Sequence, residues 1–104
     1  MSLTIDHQDT NDTSAEIRLT GRLLLGPGCA ELEQLVASLM DRGVLHLTFD
    51  LSGITHIDST GMGRFIDTYS KLKRIGGSVH IVGAAGPVRD MFKITRLDSI
   101  FKFD

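Results

Sequence analysis

The sequence predicts one α/β domain: a mixed, mostly parallel sheet of about five strands with helices packed on it. Three observations carry this. Two short runs at the N-terminus alternate apolar and polar residues with period 2 and are split by a polar segment, the pattern of a β-hairpin. Downstream, segments with helical apolar spacing alternate with β-rich runs. The resulting order, ββαβαβαβ, implies right-handed crossovers and hence parallel strands, to which the opening hairpin adds an antiparallel edge. The 104 residues suit a single domain spanning residues 1–104, and a chain of this length buries roughly 60–70% of its unfolded surface in one core.

The elements follow in order. Leu3, Ile5 and His7 alternate with polar residues, as do Ala15, Ile17 and Leu19, and Gln8-Asp9-Thr10-Asn11-Asp12-Thr13 separates the two strands. Gly21 closes the second strand. Gly26-Pro27-Gly28 breaks the chain before a helix whose stripe is Leu32, Leu35, Val36, Leu39 and Met40. Pro27 suits the first helical turn and Gly43 the C-terminal cap. Val44-Leu45-His46-Leu47-Thr48-Phe49 is apolar and β-rich enough for an interior strand. A second helix starts at Ser59 or Thr60 and carries Met62, Phe65, Ile66, Tyr69, Leu72 and Ile75 at helical spacing. Asp67 and Lys71 form an i,i+4 pair with the acid first, the better orientation. Lys71, Lys73 and Arg74 sit in the last turn, where the macrodipole favours cations, before Gly76-Gly77 ends the helix. Ser78 to Val82 is the next strand. Gly83-Ala84-Ala85-Gly86-Pro87 is a loop from which Pro87 opens a third helix carrying Val88, Met91 and Phe92. Ile100-Phe101-Lys102-Phe103 alternates as a last strand.

Composition narrows the function. A net charge of −2 argues against a phosphate-driven grip on nucleic acid. No stretch approaches the ~20 apolar residues of a membrane span, and Met1-Ser2-Leu3-Thr4-Ile5-Asp6 lacks the basic lead and apolar block of a signal peptide. With one cysteine, Cys29, no disulfide framework is possible, so a cytoplasmic location is expected. Cys29 near a helix start would have a lowered thiol pKa. A nucleophile, however, needs a base that the sequence does not assign, and the other reading is a small buried side chain.

Enzymatic signatures are weak, and neither catalytic residues, metal ligands nor cofactors are expected. Ser59 follows Ile57-Asp58, which does not match G-x-S-x-G. His7, His46, His56 and His80 are scattered without metal-ligand spacing and read as strand residues. Asp58 and Gly61 are one residue too far apart for the Asp-Thr/Ser-Gly loop of aspartic proteases. Gly61-Met62-Gly63 and Gly83 to Gly86 are too short for a dinucleotide or phosphate loop.

The stretch Asp50-Leu51-Ser52-Gly53-Ile54-Thr55-His56-Ile57-Asp58-Ser59-Thr60-Gly61-Met62-Gly63 is the most informative. An apolar strand runs into a turn, and a hydroxyl stands at a helix N-terminus beside a carboxylate. Asp, Ser and Thr are preferred caps, so a purely structural role is one reading. Two glycines in the first turn weigh against it, since each costs roughly 1 kcal/mol relative to alanine in a helix. A helix that carries them leaves its N-terminus bare for another surface, with Met62 either an exposed apolar contact or the first core residue.

Here the chain resembles the STAS-domain family, and within it the small bacterial anti-sigma factor antagonists. The resemblance covers nearly the whole chain: the ββα opening, Asp50-Leu51-Ser52-Gly53, Ile57 to Gly63, Tyr69 to Gly77, and Val88-Arg89-Asp90-Met91-Phe92. It implies that Ser59, directly after the aspartate, is phosphorylated by a partner anti-sigma factor that is a serine kinase, with a serine phosphatase as a further candidate partner. From charge and hydropathy, no nucleic-acid partner and no membrane insertion are expected. Asp58, Thr60, Gly61, Met62, Gly63 and Leu24 are the expected partner-binding residues. The unmodified form would bind the kinase and free the sigma factor. Phosphate adds about −1.5 to −2 charge, which a surface matched to a neutral hydroxyl would have to bury unpaired.

Two features depart from the family pattern. Where the family often has acids in a G-E-x-D setting, this chain reads Gly21-Arg22-Leu23-Leu24, and the Leu23-Leu24-Leu25 run is either a greasy docking edge or a strand end turning into the core. Many relatives carry a helix after the last strand, and this sequence reaches Asp104 without one. Both are compatible with an alternative role as a docking subunit of a lipid-transport ATPase complex or of a stress-signalling scaffold.

Overall fold

The alternating N-terminal runs pair as the hairpin they spell. In the computed structural model, which describes residues 3–103, β1 (Leu3–Asn11) lies antiparallel to β2 (Ser14–Leu23). The Thr13 N–H donates to Asn11 Oδ1 at 2.9 Å to fix the turn. Then follow α1 (Pro27–Asp41), β3 (His46–Ile57), α2 (Ser59–Arg74), β4 (Ser78–Val82), α3 (Gly86–Ile94) and β5 (Lys102–Phe103). The sheet runs β1-β2-β3-β4-β5, with every pair after the first parallel. Each crossover steps to the next strand in the same direction, so right-handed connections place the helices on one face. Accordingly Ile17, Leu19, Leu47, Phe49, Leu51, Val79 and Ile81 are buried, while Arg18, Ser52 and Ser78 on the other face are exposed.

Aromatic rings fill the space between sheet and helices. Phe65 of α2 meets Phe49 of β3 edge-on with centroids 5.0 Å apart, and Phe92 of α3 lies 5.2 Å from Phe103. Edge-to-face and tilted contacts of this kind suit the ring quadrupoles and add to the apolar burial.

Four features differ from the sequence expectations. β3 does not stop near Asp50 but continues to Ile57. Its pairing with β2 shifts between Thr20↔Gly53 and Arg18↔Asp50. That bulge resets the alternation, so Leu51 and Ile54, three residues apart, are both buried. Second, Ile66 of α2 and Ile75 just beyond its end are exposed, because the buried face runs through Gly61, Met62, Phe65, Thr68 and Leu72. The buried Thr68 hydroxyl is satisfied by donating to Arg64 O at 2.7 Å. Third, only Lys102–Phe103 pairs as a strand. Ile100 is exposed, and Phe101 is buried against the Tyr69 and Phe92 rings. Fourth, a 3-10 turn that no sequence signal marked, Leu97–Ser99, precedes it. The expectations for Met1, Ser2 and Asp104 lie outside the described residues.

One consequence positions the candidate site. β4 pairs with β3 only from His46 to Asp50, whereas β2 pairs with it as far as Ile57. The last turn of β3 therefore stands proud of β4 and carries Asp58 and Ser59 at the rim of the sheet.

Candidate functional site

Asp58 is the first residue after β3. Its backbone is extended (φ −114°, ψ −175°), and its carboxylate caps α2. Oδ1 accepts the Gly61 N–H at 2.8 Å, and Oδ2 accepts the Leu25 N–H at 2.9 Å. One carboxylate thus caps the helix that starts at Ser59 and ties down the loop between β2 and α1. The Leu25 and Gly61 hydrogen bonds hold the Asp58 pKa below the usual carboxylate range, against a smaller opposing effect of burial.

A carboxylate whose folded pKa is depressed contributes stability that is present above its unfolded pKa of about 3.9 and lost as pH falls through the folded value. Asp58→Ala is expected to cost about 1 kcal/mol at neutral pH, as loss of an N-cap does. The gap to the parent chain should narrow as the pH drops below about 4. Urea unfolding of both chains across that range checks this; a gap that does not change with pH rules out the carboxylate as its source. The Asp58→Ala chain keeps some acid sensitivity, because Asp50, held by the Ser52 N–H and hydroxyl, is depressed too.

Ser59 occupies the first turn of α2, is exposed, and has no hydrogen-bond partner for its hydroxyl among the described residues. Thr60 beside it is half-buried. The two glycines have different jobs. A Cβ on Gly61 would run into the Leu23 carbonyl oxygen and lie 3.0 Å from Ile57 Cγ1, so this glycine lets α2 pack against β2. A Cβ on Gly63 would meet nothing within 4 Å. Met62 is 4% exposed and belongs to the core. Of its two sequence readings the exposed contact is therefore replaced by the core one, because the close approach that Gly61 permits turns the next side chain inward.

The three consecutive leucines also separate. Leu23 is fully buried, Leu24 half-buried, and Leu25 78% exposed. Sequence reasoning singled out Leu24. The more exposed residue is Leu25, beyond the end of β2, where strand alternation no longer dictates the side.

Behind the turn, Arg64 pairs with Glu33 of α1 at 2.6 Å and links the two helices whose N-termini flank the site. Cys29 is buried, and its thiol donates to Leu24 O at 3.1 Å. Burial and then the Asp58 charge push this thiol up, outweighing the nearby Arg64. The expectation of a lowered thiol pKa at the helix start is thus corrected: desolvation and a neighbouring anion raise it. Native Cys29 is expected to react with a thiol reagent at neutral pH only as fast as the chain unfolds. Immediate labelling of the folded chain would contradict its burial.

Among the histidines, His46 Nδ1 lies 2.7 Å from Ser78 Oγ and His56 Nδ1 2.9 Å from Thr55 Oγ1. Among the described residues no group of three or more His, Cys, Asp or Glu could hold a metal ion, and no helix is long and apolar enough to cross a membrane.

Comparison with known proteins gives a consistent result. A family model for the STAS domain matches residues 8–104. The anti-sigma-B factor antagonist of Staphylococcus aureus is 27% identical over 100 residues, which cover 96% of this chain and 91% of that protein. The protein of the same name from Staphylococcus epidermidis is 26% identical over 91 residues, 88% of this chain and 83% of the relative. An anti-sigma factor antagonist structure from Mycobacterium paratuberculosis is 28% identical with a TM-score of 0.80, covering 98% of this chain and 85% of that one. The Bacillus cell fate determinant SpoIIAA in its phosphorylated form has a TM-score of 0.80 at 15% identity, covering 97% and 91%, a likeness of fold.

Proposed function

Because the chain belongs to the STAS domain family, we propose that it is an anti-sigma factor antagonist whose unmodified form binds an anti-sigma factor serine kinase, freeing the sigma factor, and whose binding weakens when Ser59 is phosphorylated. The observation that carries this is the exposed Ser59 hydroxyl in the first turn of α2, without a partner among the described residues and held out at the rim of the sheet. The names of the sequence relatives support the antagonist role.

Each residue then has a task. Ser59 Oγ takes the γ-phosphoryl group of ATP, which the kinase supplies, and gives up its proton as ADP leaves. Gly63, Thr60 and the backbone at Leu24 present the contact surface. Gly61 and Met62 support it from the core side, and Asp58 fixes the helix start against the loop. A phosphate at a helix N-terminus is tolerated by the isolated domain, since the macrodipole favours an anion there. A serine phosphatase resets the switch.

The test is to incubate the chain with ATP and any serine kinase encoded nearby, then map phosphate by mass spectrometry. A single phosphate on Ser59 is expected, and none on Ser59→Ala, which should bind but no longer be released by ATP. Phosphate at another residue, or none, would sink the proposal. A second reading, a docking subunit of a lipid-transport ATPase complex or stress-signalling scaffold, is compatible with Arg22 and Leu24 standing where the family often has acids. On that reading binding survives Ser59→Ala and is indifferent to ATP with the parent chain as well.

A further inference from the structure

Next to Ser59, the end of β2 and the start of α1 enclose a groove of about 200 Å³ lined by Leu3, Arg22, Leu24, Leu25, Pro27 and Gly28. We infer that this groove receives a segment of the anti-sigma factor in which an aliphatic side chain stands beside a carboxylate, the aliphatic group on Leu24 and Leu25 and the carboxylate on Arg22. The inference rests on the antagonist reading above and adds the chemistry of the partner.

Three observations support it. Leu25 is 78% exposed, yet its backbone is fixed, because its N–H is bound at 2.9 Å by the same Asp58 carboxylate that caps the Ser59 helix. An exposed apolar side chain on an already fixed backbone loses only its own rotamer freedom when a partner covers it, which favours an anchor contact. The groove wall contains apolar groups and glycine with a single charged side chain, the exposed Arg22. Finally, Arg18, Arg42 and Arg64 each have a carboxylate within ion-pair distance, whereas Arg22, Arg74, Arg89 and Arg96 have none among the described residues, and of these four Arg22 is the one that lines the groove. An unpaired cation at the rim of an apolar groove selects an acidic partner and repels a basic one. Because Asp58 joins the groove to the phosphorylation turn, a segment seated here contacts both.

The occupant can be identified directly. A photo-crosslinking amino acid at position 25, with the anti-sigma factor bound, should yield a partner peptide with an aliphatic residue and an Asp or Glu within a few positions. Arg22→Glu and Leu25→Ser, both surface changes, should each weaken binding tenfold or more, and raising the salt should weaken the parent chain but not Arg22→Glu. A crosslinked peptide rich in Lys and Arg, or Arg22→Glu binding as well as the parent or better, overturns the inference while leaving the antagonist reading intact. A parent chain that binds no anti-sigma factor overturns that reading and this partner with it. If Leu25→Ser instead converts a dimer of the free chain to a monomer in sedimentation, the occupant is a second copy and the inference fails.

Discussion

Phosphate on Ser59 is expected to weaken binding of the anti-sigma factor by about a hundredfold or more, equivalent to about 3 kcal/mol. The modification adds nearly two negative charges to a residue that stands exposed beside another anion, Asp58. The carboxylate of Asp58 already holds the Gly61 and Leu25 N–H groups, so fewer backbone donors are left to share the new charge. Arg64, behind the turn, is engaged with Glu33. A partner surface fitted to a hydroxyl would have to bury the dianion without a counter-charge, which costs several kcal/mol. Stability of the domain itself should change by less than about 1 kcal/mol, because the charge sits at a helix N-terminus. The measurement is calorimetric titration with phosphoserine genetically encoded at position 59, alongside thermal unfolding of the free chain. Ser59→Asp should give a smaller loss, since one charge replaces nearly two. Binding of the phosphorylated chain within threefold of the unmodified one would remove the switch.

The second large effect separates the two glycines. Gly61→Ala is expected to destabilise the fold by about 3 kcal/mol, a fall in Tm of roughly 10–20 °C for a domain of this size. The added Cβ would press on the Leu23 carbonyl oxygen, part of the backbone, which cannot move without shifting β2, and would crowd the Ile57 side chain. Gly63→Ala meets open space and is expected to stabilise the free chain by up to about 1 kcal/mol, the helix propensity that glycine forgoes. If α2 docks by its first turn, the same methyl should reduce affinity for the anti-sigma factor. Thermal unfolding and titration of both variants decide the matter: equal effects on stability would show that the glycines do not differ, and unchanged affinity in Gly63→Ala would take that position out of the interface.

Much of this was legible in the residues. Period-2 runs gave the hairpin, Pro27 and Gly43 bracketed α1, and the Asp67–Lys71 pair forms at 3.0 Å on α2. Asp58 and Ser59 could be placed at a helix start because cap preference and apolar spacing change at the same point. The length of β3 was hidden, since Ser52-Gly53 has the composition of a turn and only pairing with β2 makes it a bulge. The Leu23-Leu24-Leu25 run read as a docking edge without showing that Leu25 is its exposed member, because three consecutive leucines carry no periodicity that says which one faces water.

The order of elements, the parallel sheet and the position of the hydroxyl follow from local backbone preferences and from apolar patterns repeated along one segment. Tertiary structure alone decided which of two glycines is a packing contact, that Met62 turns inward, that the Cys29 thiol is raised, and that one carboxylate joins Leu25 to the Ser59 helix. Each of these depends on what a distant strand or helix places within a few ångströms of the residue, and no spacing along the chain encodes such a distance.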